Sequence, residues 1–202
     1  MGLKKKLWRY LHIGTLWLRT RAPWQVRVVL GAGGTYLDGW LHTDINTLNV
    51  LAEADWRRYF QPNSLQALLA EHVWEHLTLT EAKLALRLAF RYLRPGGYIR
   101  IAVPDGNHTD PNYIDYVRPE GMGFGAKDHK VLYTYQSISQ LLLGAGFQVE
   151  LLEFFDEYGR FQAKEWDTES GMIERSIRFD SRNTDGLPHY TSLIVDGVKP
   201  AA

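Results

Sequence analysis

Val28-Val29-Leu30-Gly31-Ala32-Gly33-Gly34-Thr35 is an apolar run that ends in a glycine turn, and Asp44 follows a short distance on. Glycines let a ligand approach the backbone with no Cβ in the way. A carboxylate can accept hydrogen bonds from two ribose hydroxyls. The combination predicts a nucleoside cofactor at the end of a first strand. A dinucleotide fingerprint needs a third glycine opening a helix, with its acid about 20 residues on. Here Tyr36 stands at the third position, Asp44 comes early, and Gly39 weakens any helix between them. No long helix N-terminus is offered to a pyrophosphate. The turn suits a ligand with a ribose and no diphosphate, and S-adenosylmethionine fits that description.

A second constellation competes with it. His72-Val73-Trp74-Glu75-His76 reads H-x-x-E-H. On a helix, His72 and His76 would share a face and bind zinc, with Glu75 as general base. Glu150 or Glu153 could supply a third ligand. A zinc-dependent hydrolase is therefore the alternative reading, and it requires the motif to lie within a helix. Residues 65–70 read instead as a buried strand running into it.

Proton transfer could fall to His129, Asp105 or His108, all in or next to one long loop. Asp128 and Lys130 could orient His129 or bind substrate. Arg175, Arg178 and Arg182 could clamp an anionic acceptor or form a solvated basic face. Tyr133, Tyr135 and Trp166 could line a pocket or belong to the core.

These residues need elements to position them. Strands are predicted near 26–30, 40–45, 48–53, 65–71, 98–103, 147–153 and 190–198, and helices near 80–93 and 135–145. Thr80 is the expected N-cap of the first helix, with Glu81 in its first turn. Arg94-Pro95-Gly96 should stop it. Alternation of this kind implies an α/β fold with a largely parallel sheet covered on both faces. Residues 106–133 and 154–189 are long and irregular, which is uncommon for segments without a task. The first leaves the strand end at Val103-Pro104-Asp105, the side where such sheets bind ligands.

Several segments carry a resemblance to the class I S-adenosylmethionine-dependent methyltransferases. They are the glycine turn with Asp44, Ala54-Asp55-Trp56 after a short apolar stretch, and Glu71-His72-Val73-Trp74-Glu75-His76-Leu77 after a buried strand. Leu93-Arg94-Pro95-Gly96-Gly97 and Gly144-Ala145-Gly146-Phe147 complete the order. The resemblance spans about residues 26 to 199. It implies a Rossmann-like, seven-stranded, mostly parallel sheet with helices on both faces and an antiparallel last strand. It also implies S-adenosylmethionine as cofactor. Gly31, Ala32 and Gly33 would line its methionine end. Asp44, with Ile45 beside it, would take the ribose. Asp55 and Trp56 would meet the adenine, and Glu71 and His72 would lie beneath. His129 would face the methyl group. Methyltransferases carry a similar His-x-x-Glu-His without metal, so no metal ligand is implied. The first helix must be trimmed, because the segment from Gly31 to Asp44 is short. In this, and in residues 123–133 and 175–183, the chain resembles a subgroup of small bacterial predicted methyltransferases.

At 202 residues the chain is long enough for one full core, 26–202, with a basic aromatic extension over 1–25. There is no cysteine, so disulfides and thiolate chemistry are excluded. Net charge is zero, and no basic stripe lies beyond the N-terminus, which argues against nucleic acid. A small-molecule or saccharide acceptor is expected, in the cytoplasm. The first 27 residues hold seven Lys and Arg and no acid, interleaved with Trp and Leu. Residues 1–22 could lie at the inner face of an anionic membrane. A helix packed on the domain is the other reading. A non-catalytic partner module with the same fold also stays open, since fold alone does not fix function.

Overall fold

A computed structural model describes residues 26–201. The expected N-terminal helix and its membrane contact lie outside the described residues. No helix among those described is long and apolar enough to cross a membrane.

Seven strands form one sheet: β1 Val26–Val29, β2 Leu41–His42, β3 Leu65–Glu71, β4 Leu93–Pro104, β5 Gln148–Phe155, β6 Phe161–Ala163 and β7 Ser192–Val198. Their spatial order is β2-β1-β3-β4-β7-β5-β6. The pairs β1–β2, β1–β3 and β3–β4 are parallel. The last strand, β7, inserts antiparallel between β4 and β5, and β6 folds back antiparallel on β5. Strand β3 sits centrally and is almost wholly apolar, as a strand covered on both sides must be.

Four helices are described: α1 Glu53–Tyr59, α2 Leu79–Tyr92, α3 Pro111–Val117 and α4 Tyr135–Gly144. Helix α2 buries Ala82, Ala85, Leu86 and Ala89, a stripe at three- and four-residue spacing. Its N-cap is Thr78, not Thr80. The Thr78 side chain accepts from the Glu81 amide and the Glu81 carboxylate returns to the Thr78 amide, a reciprocal capping box. Only a threonine three residues before Glu81 can make it. Helix α4 is capped the same way by Thr134 and Ser137.

The third strand predicted at 48–53 does not form. Asp55 Oδ2 accepts from the Asn49 amide, and Asn49 Oδ1 accepts from the Leu51 amide. These side-chain bonds hold the segment as turns leading into α1, where a sheet ladder would need the same amides. The second strand shrinks to Leu41–His42, and a short strand, β6, arises where none was predicted.

The sheet divides two cores. On one side Trp56, Trp74 and Tyr92 pack with α1, α2 and α4. The Trp56 indole stacks on Tyr92 with ring centroids 5.3 Å apart. On the other side the covering segments among the described residues are turns and extended chain with one short 3₁₀ helix, Thr168–Ser170. Leu37, Trp40, Trp166 and Ile173 cover Val29, Ala67 and Leu69. A Cβ on Gly171 would lie 2.6 Å from Leu69 Cδ1, so this covering backbone runs directly against the sheet. Arg100 fastens it there, donating to Gly171 O at 2.7 Å while paired with Asp196 through two 2.8 Å bonds.

Candidate active site

The parallel strands all end on one rim. The Gly31 to Gly34 turn follows β1, Asp44 follows β2, His72 follows β3 and Asp105 follows β4. Gly31 and Gly33 both have positive φ, +60° and +55°. A Cβ on Gly33 or Gly34 would meet none of the described residues within 4 Å, whereas one on Gly31 would strike Val73 Cγ2 at 2.7 Å. The turn is thus an open backbone cradle pressed against the segment that follows β3. It is pinned by Ala32 N donating to Thr43 O at 2.8 Å. Asp44 is exposed. Its Oδ1 accepts from the Ile45 amide, and Oδ2 has no partner among the described residues. The Ile45 amide thus orients the carboxylate and leaves its second oxygen unengaged by the described residues. Ile45 is 68% exposed, an apolar surface next to it.

Two residues expected at the adenine are engaged within the fold. Trp56 is fully buried and its indole nitrogen donates to Val50 O. It offers no face to an adenine. Asp55, on α1, spends Oδ2 on the Asn49 amide. Glu71 is also occupied. Its carboxylate accepts from the amides of Glu174 and Arg175 and from the Arg175 guanidinium, at 3.0–3.1 Å. Glu71 fastens residues 174–175 over the sheet instead of lying free beneath a cofactor.

Next to the cradle, across Val73, lies a cavity of about 440 Å³. Its walls include His72, Glu75, His76, His129, Arg175, Arg182 and Tyr190. His72 has φ +54°, an uncommon conformation for a residue with a side chain. Its Nε2 lies 3.0 Å from Ser192 Oγ and its Nδ1 2.9 Å from Glu75 Oε1. Glu75 is 1% exposed. The His129 Nδ1 donates to Val117 O at 2.7 Å, so a neutral ring keeps its lone pair on Nε2. The rings of His76 and His129 meet edge to face, 4.8 Å apart. Arg182 stacks on Tyr190, with its guanidinium carbon 3.2 Å from the ring centre. Burial and then the nearby Glu75 charge push the Tyr133 phenol above its usual range.

Of the three acid–base candidates, only His129 reaches this cavity. Asp105 is completely buried. Its Oδ1 accepts from the Asn107 amide and its Oδ2 from the Phe155 amide, tying the end of β4 to the end of β5. His108 is stacked on Tyr113 at 3.9 Å, accepts from the Asp110 amide at Nδ1 and contacts Pro188 O through Nε2. Burial holds its pKa below the ordinary histidine value. Both are tied by these bonds to backbone groups of the fold. Arg178 likewise turns away, donating to Trp166 O. Tyr133 and Trp166 are core residues, and Tyr135 pairs with Glu157.

Burial raises the Asp105 carboxyl from 3.8 to about 6, against the two amide hydrogen bonds that lower it. A raised folded-state value favours the fold at low pH, and that contribution is lost as pH rises through about 6. Relative to Asp105→Asn, the wild-type unfolding free energy should therefore fall by ~3 kcal/mol between about pH 3.5 and pH 7. Denaturant titrations across this range check it, and parallel curves would refute it.

The H-x-x-E-H motif is not helical. His72 belongs to the strand end, and only Trp74–His76 forms a single 3₁₀ turn. The proposed third ligands are elsewhere: Glu150 pairs with Lys164, and Glu153 accepts from Trp166, Ile177 and Thr191. What the sequence did not reveal is the meeting of Glu75 and His76 with His129, more than 50 residues on, and the closure of the cavity by Tyr190.

No protein-family model matches the chain, and no curated protein matches it in sequence. Solved structures do. A Thermotoga maritima S-adenosylmethionine-dependent methyltransferase, described as a possible histamine N-methyltransferase, superposes with a TM-score of 0.52 at 15% identity. The match covers 97% of this chain and 95% of that one. A methyltransferase from Archaeoglobus fulgidus gives a TM-score of 0.49 at 15% identity, over 98% and 93% of the two chains. With its parallel strands, inserted antiparallel β7 and glycine turn after β1, the chain has the Rossmann-like fold of S-adenosylmethionine-dependent methyltransferases.

Proposed function

We propose that the protein is an S-adenosylmethionine-dependent methyltransferase acting on a small acceptor with an anionic group. The observation that carries this reading is the Gly31-Ala32-Gly33 turn, open at Gly33 among the described residues, beside an Asp44 Oδ2 that has no partner among them, at the rim where parallel sheets bind ligands. These residues fit the cofactor: backbone approaches its amino-acid end, and Asp44 accepts from the ribose. When bound, the cofactor supplies an electrophilic methyl carbon on sulfur, which an acceptor lone pair takes while the carbon–sulfur bond breaks and sulfur keeps the electron pair.

The chain's own residues then have to hold the acceptor in line, a large share of catalysis in such displacements. Arg175 and Arg182 line the adjoining cavity, paired with Glu71 and Asp180, and their remaining N–H groups suit an anionic group there. His129 presents Nε2 to the same space and is the group placed to activate the acceptor atom. Residues 174–175 are held over the cavity by Glu71. A sugar or another small molecule fits about 440 Å³; a nucleic acid duplex does not.

Calorimetric titration of S-adenosylhomocysteine into the full chain tests the reading. Micromolar binding is expected for the wild type. Asp44→Ala removes the charge-assisted hydrogen bonding of Oδ2 to the ribose, worth ~1.5–3 kcal/mol, and should weaken binding by about 10- to 100-fold. A well-folded wild type that binds neither S-adenosylhomocysteine nor S-adenosylmethionine would overturn it in favour of a non-catalytic module.

A further inference from the structure

Glu75 stands out among the described residues. It is 1% exposed, yet neither carboxylate oxygen accepts a hydrogen bond from the described residues. The His72 Nδ1 lies 2.9 Å from Oε1 but outside hydrogen-bonding geometry. A buried carboxylate left in this state costs several kcal/mol unless something compensates it. Two imidazoles stand next to it. Donor atoms of Glu75, His76 and His129 all lie within 4.8 Å of one another.

We infer that Glu75, His76 and His129 form a binding site for a divalent transition-metal ion, with zinc as the best match. Two imidazoles and one carboxylate, with a fourth position open, is a donor set that zinc takes in catalytic sites. Nitrogen-rich donors favour zinc-type ions over magnesium or calcium. The site also has its supporting shell. Val117 O receives the Nδ1 proton of His129, which fixes the tautomer and leaves Nε2 to bind. His72, itself held by Ser192, steadies the second side of the Glu75 carboxylate. Donors around one zinc ion stand about 3.4 Å apart, so the side chains draw in by roughly an ångström on binding. His76 ends a single 3₁₀ turn and is the member freest to move.

The three ligands leave the open position facing the cavity shared with Arg175 and Arg182. There the ion would hold an oxygen or nitrogen of the methyl acceptor, so that His129 activates the acceptor through the metal. That role rests on the methyl-transfer reading; binding of the ion does not. The arrangement is distinct from the helical H-x-x-E-H site, because His72 supports the carboxylate and His129 takes its place as ligand.

The test is titration of Zn²⁺ into metal-stripped full-length protein against a chromophoric chelator, with Mg²⁺ as comparison. One equivalent of tightly held zinc is expected, undisturbed by excess magnesium. His76→Ala and Glu75→Gln should each weaken it by on the order of 100-fold. Co²⁺ loaded in place of zinc should give visible d–d bands that vanish in both variants. His76→Ala, at the open side of the cluster, should keep the wild-type melting curve. It should also keep S-adenosylhomocysteine binding, since Val73 and not His76 is the residue that meets the glycine turn. No zinc bound by the wild type, or zinc bound equally by both variants, overturns the site. Zinc bound at the site by a protein that fails to bind S-adenosylhomocysteine leaves the site standing and removes only the methyl-transfer reading.

Discussion

Glu71→Ala should destabilise the fold by about 3 kcal/mol and open the roof of the cavity. Three donors lose one buried acceptor: the amides of Glu174 and Arg175 and the Arg175 guanidinium. Arg175 is 40% exposed and can turn to water, so its share of the loss is small. The amides are half-buried and keep their cost. Freed of its fastening, the segment that carries Arg175 should loosen before the sheet does. Hydrogen exchange should therefore rise first at residues 172–178, while β3 amides stay protected. Glu71→Gln preserves the shape but offers one acceptor oxygen, and should fall between the two. Uniform exchange across the sheet and this segment in Glu71→Ala would show that Glu71 does not act as a local clasp.

Gly31→Ala should abolish most cofactor binding. Two costs coincide. A non-glycine residue at φ +60° costs about 1–2 kcal/mol. The new Cβ would also stand 2.7 Å from Val73 Cγ2, closer than atoms tolerate. Either the turn or Val73 must move, and Val73 leads directly into Glu75 and His76. Affinity for S-adenosylhomocysteine should fall by more than about tenfold, which is ~1.4 kcal/mol. Adding Val73→Ala relieves the collision but not the backbone strain, so the double variant should recover part of the stability and remain below wild type. Strict additivity of the two substitutions would show that the turn and Val73 are not in contact.

The sequence foretold most of the framework where local chemistry and tertiary packing agree. Strand β3 is legible because six of its seven residues are buried on a central strand, and α2 because its apolar spacing, its cap and its proline stop coincide. The glycine turn is legible because backbone demands leave few alternatives. The cap at Thr78 was readable too, since the spacing to Glu81 selects it over Thr80. The stretch at 48–53 misled because Val50 and Leu51 look strand-like, while Asn49 and Asp55 capture the amides a ladder needs. Asp105 and His108 misled differently. Both have the right chemical type, but their partners Phe155 and Pro188 lie 50 and 80 residues away. The same distance hid His129 from Glu75. Residue type is local, whereas burial and partnership are settled by chain segments that meet only in the folded state.

With no strand formed at 48–53, both lateral borders of the described sheet are short strands. At one border of the described sheet stands β2, two residues long, and at the other β6, three residues long. A strand of that length presents few free amides and carbonyls in a row, and thus a poor template for another chain to add to. Thr43 spends both its amide and its hydroxyl on Val29 O, closing the ladder just past β2. The long apolar strands β3 and β4 are shielded in the middle. During expression and storage the folded protein should therefore resist edge-to-edge aggregation into fibrillar sheets, despite the density of its aliphatic core.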